Sequence, residues 1–585
     1  MEEHPSPVDE PSGPTHDEWD EWMAAVDGVL AGRGFDDVLV HHTRDGLAIA
    51  PLYTARTHPA AVDLPGAGTH TRGPVDPARI EHGWDVRARH RVETVGDAAA
   101  CREAIVEDLE RGVTSIELAG GESFPVSADE LEPFLAGVHL DRAPIWLAPH
   151  ASLDRAETLV EIWRRRGVDP ADCHGGLGLD PFGEWARGGE LTDESVMAAA
   201  ELVADLGPPR PGVRSMSIDT TGYAEAGATE GEELAWGTAT GVACLRALAA
   251  AGLDPRAAAA ELSFRWSADS DQFATMAKLR AARRLWARVL EVCGVPEADR
   301  GQHQTAVTSQ AMYTRLAAPV NALRATTAVL AAASGGADAV VVLPFDHAIG
   351  DPDRVSRRLA RNTQLLLIEE SHLARVTDPA GGAWFVESFT TDLAGVAWRL
   401  FQEVERTGGI TAAVIEGRIA SAVDAGWSDL QSRLRRRVLA VTGVSEFPLA
   451  GEAVPSTTAA GAGAGLPLRR RAAAFEALRQ ASDRHLAATG ERPAVHLAVL
   501  GPLAEHIERS AWASNLLAVG GVVAVGSETD GADSPLEAAA DFADHRRRSG
   551  CEAAVTKQSR PTTLRLAVCR HRRRPNHPRR STYCD

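Results

Sequence analysis

Apolar residues recur along this chain at two spacings, and the alternation between them sets the expected architecture. From Asp17 to Leu30, the residues Trp19, Trp22, Val26 and Leu30 step by three or four, which predicts a helix. The stretch Phe35–Thr54 reads as a β-hairpin with Asp45-Gly46 at its turn. Short apolar runs at Ser115–Leu118, Ile145–Leu147, Arg214–Ile218 and Ala337–Asp346 are strand-like and alternate with helical segments. That alternation predicts a parallel sheet covered by helices, an α/β architecture. The clearest single element is the Asp271–Gly294 helix. Phe273, Met276, Leu279, Ala282, Trp286, Val289 and Cys293 form its apolar face. Lys278, Arg280, Arg283, Arg284 and Arg288 fill the remainder, expected as a solvated face or one that meets acids of a partner, and Gly294 with Pro296 ends it.

The pattern changes in the last quarter. Residues 451–467 are a low-complexity linker of small residues. A helix is predicted at Leu468–Ala488, and a new α/β pattern opens at Pro493–Gly501, continuing through Gly520–Gly526 and Cys551–Val555. This is the start of a small doubly wound domain. The pattern then fails: residues 557–585 hold nine Lys or Arg against one acid, Asp585, with no apolar periodicity beyond Leu564–Val568. The end reads as a frameshifted or misread gene end, the alternative being a basic tail that binds an anion. Residues 1–17 are rich in Pro, Ser and acids, the composition of a disordered segment.

Composition narrows the function classes. At 585 residues the chain exceeds one ordinary core, and its apolar (44%) and charged (24%) fractions are those of a soluble globular protein. No run approaches the ~20 apolar residues of a membrane helix. The acidic, Pro-rich start is the opposite of a signal peptide, so a cytoplasmic location is expected. A net charge of −21 argues against nucleic-acid binding. Seven scattered cysteines without a Cys-x-x-Cys pair indicate neither a disulfide framework nor a zinc site. Cys173-His-Gly-Gly-Leu-Gly178 offers two adjacent potential ligands without a third and reads as a Gly-rich turn. No P-loop and no Gly-x-Ser-x-Gly elbow occurs.

Four longer motifs carry more. Ser215-Met-Ser-Ile-Asp-Thr-Thr-Gly-Tyr-Ala-Glu-Ala-Gly-Ala228 runs from a strand into a polar turn and a helix, the junction where α/β proteins place their chemistry. With it go Asp271–Trp286, Arg361-Asn-Thr-Gln-Leu-Leu-Leu-Ile-Glu-Glu-Ser-His-Leu373 and Asp378-Pro-Ala-Gly-Gly382. On these residues the chain resembles the adenosylcobalamin-dependent methylmalonyl-CoA mutase family, specifically its small, non-catalytic subunit, over roughly Trp19 to Val555. The resemblance implies a (β/α)8 TIM-type barrel at 81–450, followed by a truncated flavodoxin-like domain of the cobalamin-binding type at 491–556. Residues 18–80 would be an arm that wraps a partner in the family, although the sequence leaves it equally free to pack on its own barrel. Residues 451–490 would be linker and helix, and 557–585 the basic tail.

The resemblance also implies where chemistry should be. In active relatives an Asp-x-His-x-x-Gly loop follows the first strand of the C-terminal domain and ligates cobalt. Here the loop is Leu500-Gly-Pro-Leu-Ala-Glu-His-Ile-Glu508, so Leu503, Glu505 and Glu508 replace the three motif residues. His506 lies one place off and reads as a solvent-facing helix residue. Gly222 stands at the position of the family's His near the substrate carbonyl, and Arg89 at that of its Tyr, after Trp84-Asp-Val-Arg-Ala. No catalytic, cofactor-binding or metal-ligating residue is therefore expected, and the surviving motifs read as barrel scaffold. The implied role is a mutase subunit of propionate metabolism that stabilises a large catalytic subunit. That partner would hold the adenosylcobalamin and interconvert methylmalonyl-CoA and succinyl-CoA. The rival readings are an independently active acyl-CoA mutase with another cobalt ligand, such as His506, and a barrel retaining an acyl-CoA as a regulatory site.

Overall fold

The structure is a computed structural model and describes residues 16–55, 63–66, 68–93, 95–121, 123–149, 152–457, 465–526, 537–538, 540, 543, 551–555 and 565–571. It divides into two compact units. One comprises Met1–Tyr313, Asn321–Ser432 and Ala459–Arg470, the other Thr314–Val320, Arg433–Thr458 and Arg471–Asp585.

The first unit opens with a helix at His16–Leu30, so the chain is ordered into a helix from just inside the stretch expected to be disordered; residues 1–15 lie outside the described residues. The expected hairpin contracts. Phe35–Leu39 is a helix, with Asp36 and Asp37 in its first turn where the helix dipole favours acids. Only β1 (His41–His42) and β2 (Ala48–Ile49) pair, antiparallel, around the predicted turn; Gly46 there has φ 77° and its N–H donates to Thr43 O at 3.2 Å.

Eight parallel strands then close a barrel with helices between them. In chain order they are β3 (Asp85–Arg91), β4 (Ser115–Ala119), β5 (Ile145–Leu147), β6 (His174–Leu179), β7 (Gly212–Asp219), β8 (Leu262–Ala268), β9 (Gln304–Thr308) and β10 (Ala339–Val341). The ring runs β10-β3-β4-β5-β6-β7-β8-β9, and this is the (β/α)8 architecture expected. The strand predicted at Ala337–Asp346 shortens to three residues. Its ladder ends because the Leu343 N–H goes to Thr308 Oγ1 at 2.9 Å and Pro344 has no N–H to offer.

The predicted Asp271–Gly294 helix spans Gln272–Val292, with the Asp271 carboxylate accepting from Ala274 N at 3.1 Å and Gly294 in the left-handed region beyond it. Met276, Leu279, Ala282, Trp286 and Val289 are buried as their spacing predicts. The solvated basic face is not observed: Lys278, Arg280 and Arg283 are buried to 2% exposure or less. This helix packs against the Glu230–Ala250 and Trp384–Arg406 helices as well as β8, so three sides are covered; Lys278 and Arg280 meet acids, and Arg283 donates to Thr71 O, Gln304 Oε1 and Gly335 O. Two ends of the expected apolar face are out in solvent instead, Phe273 and Cys293.

The second unit carries β11 (Ala494–Ala498), β12 (Val523–Val525), β13 (Cys551–Val555) and β14 (Arg565–His571), ordered β12-β11-β14-β13. β11 and β12 are parallel and joined by the Leu503–Val519 helix, one β-α-β unit. β14 is antiparallel to both β11 and β13. The parallel doubly wound pattern thus extends over that single β-α-β unit, and the strand beside it comes from the basic stretch, where Leu566, Ala567 and Val568 lie opposite Leu497, His496 and Val495. The rest of 557–585 lies outside the described residues. The helix predicted from Leu468 begins at Ala473. Of the small-residue linker, residues 451–457 are described, and this end is anchored. The buried Arg479 guanidinium donates to Leu449 O at 2.8 Å, Glu452 O at 3.0 Å and the carbonyl of Ala518, and Asp483 accepts from Val454 N at 3.0 Å.

Candidate functional site

Three side chains meet across the C-terminal end of the barrel. Arg89 on β3 donates through Nε to Glu117 Oε1 on β4 at 2.5 Å. Arg265 reaches the same carboxylate from β8, on the far side of the ring, with Nη1 2.5 Å from Oε2 and Nη2 3.2 Å from Oε1. Burial alone would raise the Glu117 carboxyl, but the two guanidiniums overcome it and hold it down at about 2. Asp219 at the end of β7 lies 3.8 Å from Arg265 Nε and 3.7 Å from Arg187 Nη1. These charges are matched against one another.

Beside them sits Glu225, on the short Thr221–Ala226 helix. Its carboxyl accepts from the Gln310 N–H at 3.1 Å and from Gln310 Nε2 at 3.0 Å, and Gln310 Oε1 lies 2.9 Å from His347 Nε2. Burial pushes Glu225 up to about 7 and Asp180, also in this region, to about 7. Burial, with Arg89 nearby, pulls His347 down to about 4, so it is neutral. With Gln310 Oε1 as acceptor, His347 carries its proton on Nε2.

The barrel axis below this layer is filled. The Arg87 guanidinium lies 3.8 Å from the centroid of the Trp146 ring, and the imidazole of His303 stacks on the same indole at 5.2 Å. Arg87 is pinned by Ser115 Oγ and Thr305 Oγ1, both at 3.0 Å, and by Asp85 Oδ2 at 2.6 Å. These three contacts come from β4, β9 and β3, which with β10 make up one half of the ring, and Trp146 faces the guanidinium from β5. Gly176 on β6 completes the stack: a Cβ there would lie 2.3 Å from Cε3 and 2.6 Å from Cζ3 of the Trp146 ring. The glycine run read as a turn is a strand segment that makes room for an indole.

The motifs expected to be scaffold are buried ion-pair networks. Lys278 Nζ lies 2.5 Å from Glu233 Oε2, and Glu233 Oε1 also accepts from Thr220 Oγ1 and Ser267 N. Arg280 pairs with Asp378 and Glu387, and Arg72 reaches Asp378 at 2.8 Å. Arg361 pairs with Asp108, and Gln364 Oε1 accepts from Trp84 Nε1 at 3.0 Å. The hairpin turn docks on its own barrel: Arg44 donates to Gly227 O at 2.5 Å, Ala228 O at 3.0 Å and Gly426 O at 3.1 Å. Arg469, from the far end of the same unit, donates to Ala226 O at 2.8 Å and Val423 O at 3.1 Å. Two arginines more than four hundred positions apart therefore cap the same Glu225–Ala228 turn.

Of the residues singled out in the sequence, the structure brings Arg89 into the mouth and ties it to Glu117. Gly222 lies in the same short helix as Glu225, and a Cβ there would meet only the Ala186 Cβ, at 3.4 Å. In the second unit, Leu503 opens the Leu503–Val519 helix, and Glu505 and Glu508 are exposed on it. His506 is not solvent-facing but buried, at 4% exposure. It shares a face with Ser510 and Ala513, at i, i+4 and i+7, and that face joins the cluster with Val495, Leu497 and Val499. Its Nδ1 lies 3.4 Å from Ser510 Oγ, and its Nε2 is buried without a hydrogen-bond partner. This loop does not fit cobalamin: Glu505 and Glu508 present carboxylates at two of the three motif positions, and its one imidazole faces inward. The residues that sequence reasoning missed are Glu117, Arg265, Trp146 and His303; the Gly175-Gly176 pair in a strand was the available signal.

A closed barrel of eight parallel strands with helices between them defines an α/β protein of the TIM-barrel class. Residues 124–489 match the family described as methylmalonyl-CoA mutase. The chain is similar to the methylmalonyl-CoA mutase small subunit of Streptomyces virginiae, 46% identical over 514 residues that cover 86% of this chain and 82% of that one. It is also similar to the probable methylmalonyl-CoA mutase small subunit of Mycobacterium tuberculosis, 41% identical over 542 residues that cover 89% and 85%. The corresponding small subunit of Propionibacterium freudenreichii is 38% identical over 489 residues, 83% of this chain and 75% of that one. The chain belongs to the methylmalonyl-CoA mutase family. Among the described residues, no helix is long and apolar enough to cross a membrane.

Proposed function

We propose that this chain is the non-catalytic subunit of a heterodimeric methylmalonyl-CoA mutase. It pairs with a large subunit that holds adenosylcobalamin and interconverts methylmalonyl-CoA and succinyl-CoA in propionate metabolism. Its barrel supplies a folded surface rather than an active site. The observation that carries this reading is the Arg87–Trp146–His303 stack across the barrel axis, held at five strands by Ser115, Thr305, Asp85, Gly176 and Trp146 itself. An extended acyl-CoA threading the barrel would have to displace a buried indole and a buried guanidinium together. Replacement of the family's Tyr and His by Arg89 and Gly222, and the absence of an outward imidazole in the Leu500–Glu508 loop, support the same reading.

The test is co-expression with the large subunit, followed by size exclusion with corrinoid absorbance recorded on the complex and on this chain alone. Co-elution of both chains, with corrinoid in the complex and none on this chain, is the expected result. Corrinoid retained by this chain alone would favour the independently active mutase instead.

A further inference from the structure

The floor of the barrel, at the N-terminal ends of its strands, holds a cleft of about 430 Å3. That end of a (β/α)8 barrel ordinarily serves stability. Here two charged side chains that line it are unpaired. Arg214 enters from the start of β7 and Asp338 from the residue before β10. Arg214 Nη1 donates to Ala260 O at 2.8 Å and to Pro211 O at 3.3 Å, which leaves its Nε and Nη2 edge without a bond. Asp338 Oδ2 accepts from Gln304 N at 2.7 Å, and its Oδ1 has no bonded partner. Both side chains are half-buried, and neither forms an ion pair among the described residues. The other two charges on the cleft are closed on each other: Arg256 Nε lies 2.9 Å from Asp299 Oδ2.

Two neutral groups border the same space. Gln302 Oε1 accepts from Gln304 Nε2 at 2.7 Å, so the Gln302 amide N–H groups are left over. His303, whose ring stacks on Trp146, has a buried Nδ1 with no hydrogen-bond partner. Burial draws this imidazole down to about 4, so it is neutral, and Asp338 is the charge that acts on it most strongly. A buried polar atom left unpaired is costly, and one that borders a cleft points to a ligand that completes it. The balance of charge then selects the class. A simple anion would meet Arg214 and be repelled by Asp338, and a simple cation the reverse. A polyanion such as coenzyme A would find one free guanidinium beside an opposing carboxylate. A molecule that carries both charges satisfies both. β8 and β9 stand between β7 and β10 in the ring, at about 4.8 Å per strand, so charges separated by methylenes fit better than two on one carbon.

We propose that the barrel floor binds a small zwitterion, an amino acid whose carboxylate and ammonium are separated by a short methylene chain. The carboxylate takes the Nε and Nη2 edge of Arg214 and the Gln302 amide, and the ammonium donates to Asp338 Oδ1 and His303 Nδ1. The methylenes lie against Ala259, Leu262 and Ala298. A bound zwitterion links β7 to β10 and gives the unpaired edge of His303 a donor. The site lies at the opposite end of the barrel from the Glu225 turn and does not depend on the large subunit.

The experiment titrates the full-length chain with γ-aminobutyrate by saturation-transfer NMR, with butyrate and butylamine as probes that keep one charge each. γ-Aminobutyrate is expected to bind at least about tenfold tighter than either single-charge probe. R214Q and D338N should each weaken it about tenfold or more, and D338N should shift the preference toward butyrate. Circular dichroism melts identify a variant that fails to fold, and the three probes compared on wild type keep the test open in that event. Butyrate or butylamine binding as tightly as γ-aminobutyrate overturns the site, as does γ-aminobutyrate binding that survives both substitutions. Absence of γ-aminobutyrate binding at millimolar concentration overturns it too. If coenzyme A binds wild type and R214Q abolishes that binding, the cleft is an anion site and the zwitterion assignment is wrong.

Discussion

The indole of Trp146 occupies the space that a side chain at residue 176 would need, and this fit ties a strand glycine to the closure of the barrel. Gly176→Ala should force the indole off its stack with Arg87 and His303. Overpacking of this kind costs about 1–3 kcal/mol, and more where the obstacle is a rigid ring. Trp146→Ala leaves a cavity and should cost ~3–5 kcal/mol. The double variant should be much less unstable than the sum of the two, because the alanine at 176 no longer meets the ring. Urea unfolding of the four proteins measures the coupling, and additive losses would show that the two residues are independent.

A second prediction concerns Lys278 and Glu233. Each is buried, and each is the other's charge partner. Burial would lower the Lys278 ammonium, but Glu233 overcomes it and holds the pKa up. Removing one partner leaves an uncompensated buried charge, so Lys278→Met alone should destabilise by about 3–5 kcal/mol. Glu233→Gln in the Lys278→Met background should recover much of that loss, since Gln can still accept from Thr220 Oγ1 and Ser267 N. Denaturant midpoints decide it. A Lys278→Met chain as stable as wild type would mean the pair is not closed in solution.

The pH dependence of stability should contain a component from Glu225. Burial raises its pKa from 4.5 to about 7, so between those values the folded chain binds more protons than the unfolded chain. Its stabilisation is complete below about pH 4.5 and is lost as pH rises through 7, amounting to at most roughly 3 kcal/mol. His303 and His347, both drawn down to about 4, work in the opposite direction between 4 and 6.5. The wild-type profile alone is therefore a partial cancellation. The difference between wild type and Glu225→Gln isolates the carboxyl and should fall steadily from pH 5 to 7.5. A flat difference would place Glu225 in contact with solvent.

Arg44 supports a fourth prediction. Its guanidinium holds three carbonyls at the Glu225–Ala228 turn and Gly426, and no other residue of the hairpin reaches that turn. Arg44→Ala should release the hairpin, speeding amide exchange of residues 41–49 at least tenfold while the barrel strands stay protected. Unchanged exchange there would assign the docking to Asp45 and its bond from Gly231 N.

Much of this arrangement was legible before the structure. Strand–helix alternation reached a parallel sheet covered by helices, the family resemblance reached the closed barrel, and the apolar spacing of Met276, Leu279, Ala282, Trp286 and Val289 placed the buried stripe of the Gln272–Val292 helix. The same periodicity mis-set Lys278, Arg280 and Arg283 as solvated, because helical spacing identifies apolar faces and is silent about partners that arrive from far along the chain: Glu233, Asp378 and Glu387, 45, 98 and 107 positions away, for the first two, and Thr71 O and Gln304 for Arg283. His506 was misplaced for a related reason: a polar residue one turn from Ser510 reads as exposed until the sheet beneath it is known. The Arg89–Glu117–Arg265 bridge joins opposite sides of a ring and leaves no local pattern.

The most direct test of the account is the stoichiometry of acyl-CoA binding, by equilibrium dialysis of methylmalonyl-CoA against this chain alone, the large subunit alone and the heterodimer. A closed axis in this chain predicts no binding to it and one ligand per heterodimer. Saturable binding to this chain, or two ligands per heterodimer, would show that the Arg87–Trp146–His303 stack opens and that the barrel still holds a site.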